Sequence, residues 1–233
     1  MLLYTLRRIN LLLITLLALT FVAYLLDYRL IGNQLSFWSG YPDFLRRIFA
    51  GDLGLSSVSG LPVLDEIRHY FPATLILCLA AFAISLLVGI PLGTLAALSQ
   101  GKTLDLSIMT AGLIGYAVPV FWLALLVVML FSLDLGWLPA SGQISLLYDV
   151  PPITGIAVID VLLSNEPWRQ AALHDALRHL ILPSLVLAVV PTTEVIRHVR
   201  SSLIDVMKQN YIKAAASRGL SKAQIVWRHG LKN

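Results

Sequence analysis

The sequence predicts an all-α membrane protein: four transmembrane helices followed by a basic, cytoplasmic helical elbow. Hydrophobic residues make up 58% of the 233 residues and charged residues only 13%, with a mean hydropathy of +0.80. Soluble domains carry about 25% charge, and a soluble core of this size cannot hide so much apolar surface. Four apolar stretches each meet the roughly 20 residues that a hydrocarbon core requires. Lys and Arg are also distributed unevenly. Residues 197–232 hold eight of the seventeen and only one acid, Asp205.

The four spans are residues 9–26, 72–98, 106–133 and 179–196, and the whole chain, 1–233, reads as one transmembrane domain. The first stretch follows Arg7 and Arg8. It exceeds the apolar run of a secretory signal and lacks a small-residue cleavage site, so it reads as a retained anchor. Lys and Arg in short flanking loops mark the cytoplasmic side. Arg7 and Arg8, Lys102 and the basic tail then share that side. The long loops 27–71 and 134–178 hold six basic and ten acidic residues between them and lie outside. The expected location is the bacterial inner membrane, multi-pass, with the N-terminus in the cytoplasm. Turn signals punctuate both outer loops, and residues 62–70, with Val63, Leu64 and Ile67, read as a short surface helix.

Gly89, Pro91 and Gly93 fall in the second span, Gly112, Gly115 and Pro119 in the third, Pro183 and Pro191 in the fourth. Small residues let helices approach and prolines kink them. The alternative is that these bends line a path that changes shape. Glu194 lies near the inner end of the fourth span, with Arg197 and His198 three and four residues on, a spacing that pairs side chains on a helix. It reads either as an interfacial ion pair or as a gating or contact residue, since ionisable groups at membrane depth are usually paired or functional. Tyr116, Pro119 and Glu194 are the candidates for the path.

Several apparent motifs carry no chemistry. Gly101-Lys102-Thr103 resembles the end of a phosphate-binding loop, but that motif needs a glycine where Ala96 stands, after a strand rather than a span. His174 and His179, five apart, point to different helix faces and read as interfacial or solvated. Cys78 is the sole cysteine, so no internal disulfide or cysteine-built metal site exists. No nucleophile–base pair stands out. The chain is not expected to be an enzyme or to hold a cofactor or metal.

The informative segment is the elbow, residues 201–233. Leu203, Val206, Met207, Asn210, Tyr211, Ala214 and Ala215 follow helical spacing and predict one amphipathic helix. Gly219 sits where a left-handed residue ends a helix, with Leu220 as the apolar residue after it. Ser221-Lys222-Ala223-Gln224 fits a capping box, and Leu220 with Ile225 fits a hydrophobic staple. Ala214, Ala215 and Ala216 leave a nearly bare surface that a partner could approach. Such a helix–turn–helix also fits a membrane-tethered DNA-binding regulator, which is the alternative function. A four-span carrier is an odd vehicle for one, and binding to nucleic acid is not expected.

Residues 211–233 resemble the cytoplasmic loop of ABC importer permeases, whose core is Glu-Ala-Ala, three residues, then Gly. The matching positions are Lys213, Ala214, Ala215 and Gly219, with Lys213 in place of the Glu, a departure common in the dipeptide, oligopeptide and nickel branch. The opening LYTLRRI, Gly51-Asp52-Leu53-Gly54, Phe71-Pro72-Ala73-Thr74-Leu75, Val118-Pro119-Val120-Phe121-Trp122 and Arg200-Ser201-Ser202-Leu203 are similar to that branch as well. The resemblance implies a type I importer permease whose elbow is a coupling helix seated in an ATP-binding subunit. Tyr211, Lys213, Ala214, Ala215, Gly219, Leu220 and Ser221 would make that joint. A second permease, an external solute-binding protein and membrane lipid would be the other partners. The cargo would be a peptide or another small cationic solute, with ATP hydrolysed on the partner chain. The pattern of the family also implies two further spans after Asn233, so this chain is expected to be C-terminally short.

Overall fold

The computed structural model describes residues 2–31 and 37–230. It comprises nine α-helices among those residues and one isolated antiparallel bridge, Leu55 to Pro62. Three helices are long and apolar enough to cross a membrane: α1 (Leu2–Ile31), α3 (Val63–Leu98) and α7 (Arg169–Met207). A fourth span exists if α4 (Thr103–Ala117) and α5 (Val120–Val128, prolonged by a π-helical turn Met129–Asp134) count as one. The remaining helices are short: α2 (Phe37–Phe49), α6 (Ala157–Leu163), α8 (Asn210–Ser217) and α9 (Lys222–Ile225).

The chain divides into two compact units, Met1–His69 and Tyr70–Asn233. In the first, α1 is apolar on nearly every face and nearly every side chain is exposed, as befits a helix solvated by lipid. Its fixed point is Tyr24, fully buried among Tyr28, Tyr41 and Phe44. A Cβ on Gly40 would lie 2.4 Å from the Tyr24 hydroxyl, so glycine is what admits the ring. The Thr20 and Tyr41 hydroxyls share a hydrogen bond at 3.0 Å. Helix α2 was not expected from the sequence. The surface helix expected over 62–70 is instead the first turns of α3, which runs unbroken from Val63.

The second unit is organised around α7, the most enclosed of the long helices. Glycines on two helices grip it. Cβ atoms built on Gly89 and Gly93 of α3 would approach Val195 and Val199 within 2.8 Å, and the Ile196 carbonyl within 2.9 Å. On α4, Gly112 and Gly115 face Thr193 and Val189, and the Thr193 hydroxyl donates to the Gly112 carbonyl at 3.2 Å. Close packing is therefore what these glycines do.

The stretch read as a single span over 106–133 is broken. α4 and α5 meet at 95°. Pro119 has no N–H to donate and forces Val118 out of the helical region, to φ −79°, ψ 125°. The Leu123 amide then restarts the helix on the Pro119 carbonyl at 3.0 Å.

The loop after α5 folds onto the N-terminal part of α7. Asp175 accepts from the Ser145 amide at 2.7 Å and the Ser145 hydroxyl at 2.9 Å. His179, one turn on, is buried rather than solvated, with Nδ1 2.9 Å from the Asp175 carbonyl oxygen. Buried Asp160 accepts from the Thr154 amide and hydroxyl and the Gly155 amide, which fixes the turn into α6.

Candidate functional site

The elbow forms two helices with a turn between them, as its local signals specify. Gly219 takes φ +84°, a conformation that a Cβ disfavours, and the Leu220 amide reaches the Ala215 carbonyl at 3.4 Å. The Ser221 amide donates to Gln224 Oε1 at 2.9 Å and the Gln224 amide donates to Ser221 Oγ at 3.3 Å, a reciprocal capping box. Leu220 packs on the cluster of Ile212, Ala215 and Ile225. A second cluster, Ala97, Leu203, Ile204 and Val226, fastens the elbow to the ends of α3 and α7.

One expectation for this segment is corrected. The helix over 203–215 is not continuous: α7 ends at Met207, and Lys208 and Gln209 turn the chain into α8. The break rotates the apolar stripe. Ile212 and Ala215 face inward, whereas Asn210, Tyr211 and Ala214 are exposed. Of the seven elbow residues singled out, Tyr211, Ala214, Gly219 and Ser221 form the exposed side, while Ala215 and Leu220 pack inward. The Lys213 side chain lies outside the described residues.

Sequence reasoning missed a bidentate ion pair between two spans. Asp105, in the first turn of α4, is 4% exposed. Its Oδ1 accepts from Arg200 Nε at 2.6 Å and its Oδ2 from Arg200 Nη2 at 2.7 Å, a bidentate fork. The same Oδ2 accepts the Gly101 amide at 2.9 Å. One carboxylate therefore ties the α3–α4 turn, α4 and the C-terminal part of α7 together. It also gives Gly101-Lys102-Thr103 a structural role: Gly101, at φ +75°, makes the turn that aims its amide at Asp105. The only sequence signal was a lone acid at the start of a span. Its partner is 95 residues away.

The path candidates are dispersed. Glu194 pairs with Arg197 at 3.3 Å, half-exposed. Tyr116 lines a cavity of about 420 Å³ between α4 and α7 together with Thr110, Thr193 and Arg197. Pro119 sits at the break between α4 and α5. No group of three or more potential metal ligands occurs among the described residues.

Membrane-length helices packed through glycines and ending in a capped helical elbow define a membrane protein of helical spans. Residues 89–233 match the binding-protein-dependent transport system inner membrane component family, and the chain belongs to that family. Over its full length it is 48% identical to the putrescine export system permease protein SapB of Escherichia coli (strain K12), covering 74% of that protein. It is 47% identical, with the same coverage, to the peptide transport system permease protein SapB of Salmonella typhimurium. The dipeptide transport system permease protein DppB of Escherichia coli (strain K12) is 34% identical over 87% of this chain and 60% of DppB. The chain is thus a transport permease of the membrane, as the resemblance implied.

Proposed function

We propose that this permease serves an ATP-driven importer and that its elbow is the seat of an ATP-binding subunit. The observation that carries the reading is the two-sidedness of the elbow. Ile212, Ala215 and Ile225 anchor it inward, leaving Tyr211, Ala214, Gly219 and Ser221 as a presented face of small and polar groups around one aromatic. A small-residue face lets a partner's backbone approach closely. ATP is hydrolysed on that partner, and closure of two such subunits swings the elbows and alternates the access of the path. A second permease and an external solute-binding protein complete the complex. The basic elbow, Lys102 and the N-terminal arginines lie in the cytoplasm of a bacterial cell, by the distribution of Lys and Arg.

The cargo is a peptide or another small cationic solute. Peptides and putrescine, named for the SapB and DppB relatives, share ammonium groups. Capture tests the seat. A tag on this chain should retrieve ATP-binding subunits from the membranes of its source cell, and Ala214→Glu should abolish retrieval while the permease still folds. Labelled dipeptide and putrescine, offered to either side of proteoliposomes bearing the captured complex, then report direction. Retrieval unaffected by Ala214→Glu refutes the seat, and ATP-driven movement only outward refutes import.

A further inference from the structure

We propose, resting on that coupling reading, that Asp105 and Arg200 are the positioning pair that carries movement of the elbow into α4. Three observations place the pair on this route. Arg200 lies one turn before Leu203 and Ile204, the residues of α7 that hold the elbow through Val226. Asp105 lies in the first turn of α4, one turn before Met109 and Thr110, which line the α4–α7 cavity. The carboxylate also holds the Gly101 amide, so the turn leading from α3 moves with them.

The chemistry of the contact suits transmission. Apolar helix faces slide over one another by small shear displacements. A planar guanidinium forked onto a carboxylate at 2.6 and 2.7 Å cannot slide without breaking both bonds. The fork therefore fixes the axial and rotational position of α4 on α7 at the point where α7 leaves the spans. Packing between Gly112 and Thr193 farther along holds the helices together, but it does not set their register with the same stiffness.

The test uses the complete complex captured through a tag on this chain, in a Cys78→Ser background carrying Thr110→Cys as a maleimide reporter in the cavity. Labelling is followed with and without ATP in the presence of Asp105→Asn, which weakens the acceptor, or Arg200→Lys, which keeps the charge and loses the fork. The expected result is unchanged capture and ATP hydrolysis, with the ATP-dependent change in labelling falling about ten-fold, within the range of a lost coupling between sites. A response equal to wild type in both variants overturns the proposal. Loss of capture along with response in both variants also overturns it, since the pair then merely holds the fold. A wild-type complex that hydrolyses ATP but shows no response at Thr110→Cys does so too, because nothing reaches α4. If wild type captures no ATP-binding subunit, the coupling reading itself fails, and that outcome is distinct from the other three.

Discussion

At the scale of single residues, Gly219 carries the sharpest demand. Its φ of +84° costs a residue with a Cβ about 1–2 kcal/mol, and a β-branched one more. Among the described residues, no atom outside its own neighbours lies within reach of an added Cβ, so the penalty is one of backbone conformation. Gly219→Val should loosen the elbow and weaken ATPase capture, whereas Gly219→Asn, which tolerates the left-handed region, should retain most of it. Hydrogen exchange at the Ile225 amide, which donates to the Ser221 carbonyl at 3.0 Å, reads the loosening directly. Equal protection in both variants would show that the turn does not depend on glycine. Two ion pairs at this scale differ in legibility and in weight. Glu194–Arg197 is three residues apart, was evident from spacing, and is half-exposed, so it is worth about 0–1 kcal/mol. Asp105–Arg200 is nearly enclosed on the acid side, with the arginine about a quarter exposed. Breaking an enclosed pair costs ~3–5 kcal/mol, and water at the guanidinium lowers that to the order of 2 kcal/mol. No local pattern links residues 105 and 200, and only the folded chain brings them together.

At the scale of elements, the grip of α3 and α4 on α7 sets a gradient of tolerance. A methyl group at Gly93 would meet the Ile196 carbonyl at 2.9 Å and Val199 Cβ at 2.8 Å, whereas one at Gly112 would meet the Thr193 methyl at 3.1 Å. Backbone cannot yield as a side chain can. Gly93→Ala should therefore lower the thermal midpoint of the detergent-purified protein more than Gly112→Ala, with costs of about 1–3 kcal/mol for the former. Equal midpoints would mean that α3 moves away freely. The long helices were legible because apolar length is a strong signal. Their ends were not, since α7 begins ten residues before and ends eleven residues after the apolar stretch. Polar residues there continue the helix by packing, which composition does not report. The break at Val118-Pro119 was readable as a kink, but not as a right-angled turn. Helix α2 was hidden by Gly40 and Pro42, although Tyr41, Phe44 and Ile48 keep helical spacing.

At the scale of the whole molecule, the elbow was the best-specified element. Its stop, cap and staple are local chemistry written over a few residues. The joint that fastens α4 beside it is long-range and was invisible. Orientation, argued from charge alone, is checked by topology labelling in a Cys78→Ser background. An impermeant maleimide applied to intact cells should modify Leu147→Cys in the loop between α5 and α6, and should reach Gln100→Cys only after permeabilisation. The reverse pattern would place the basic segments outside.

Two of the polar fasteners of α7, one near each end, sit on the same helix. Asp175, which holds the loop after α5, and Arg200, which holds α4, are 25 residues apart, about 38 Å at ~1.5 Å per residue. A hydrocarbon core of about 30 Å fits between them with little to spare. The spacing acts as a ruler for the surrounding lipid. A thinner bilayer leaves apolar helix uncovered, and a thicker one pulls a charged knot towards hydrocarbon, so the spacing of the two fasteners along α7 favours membranes of matching thickness.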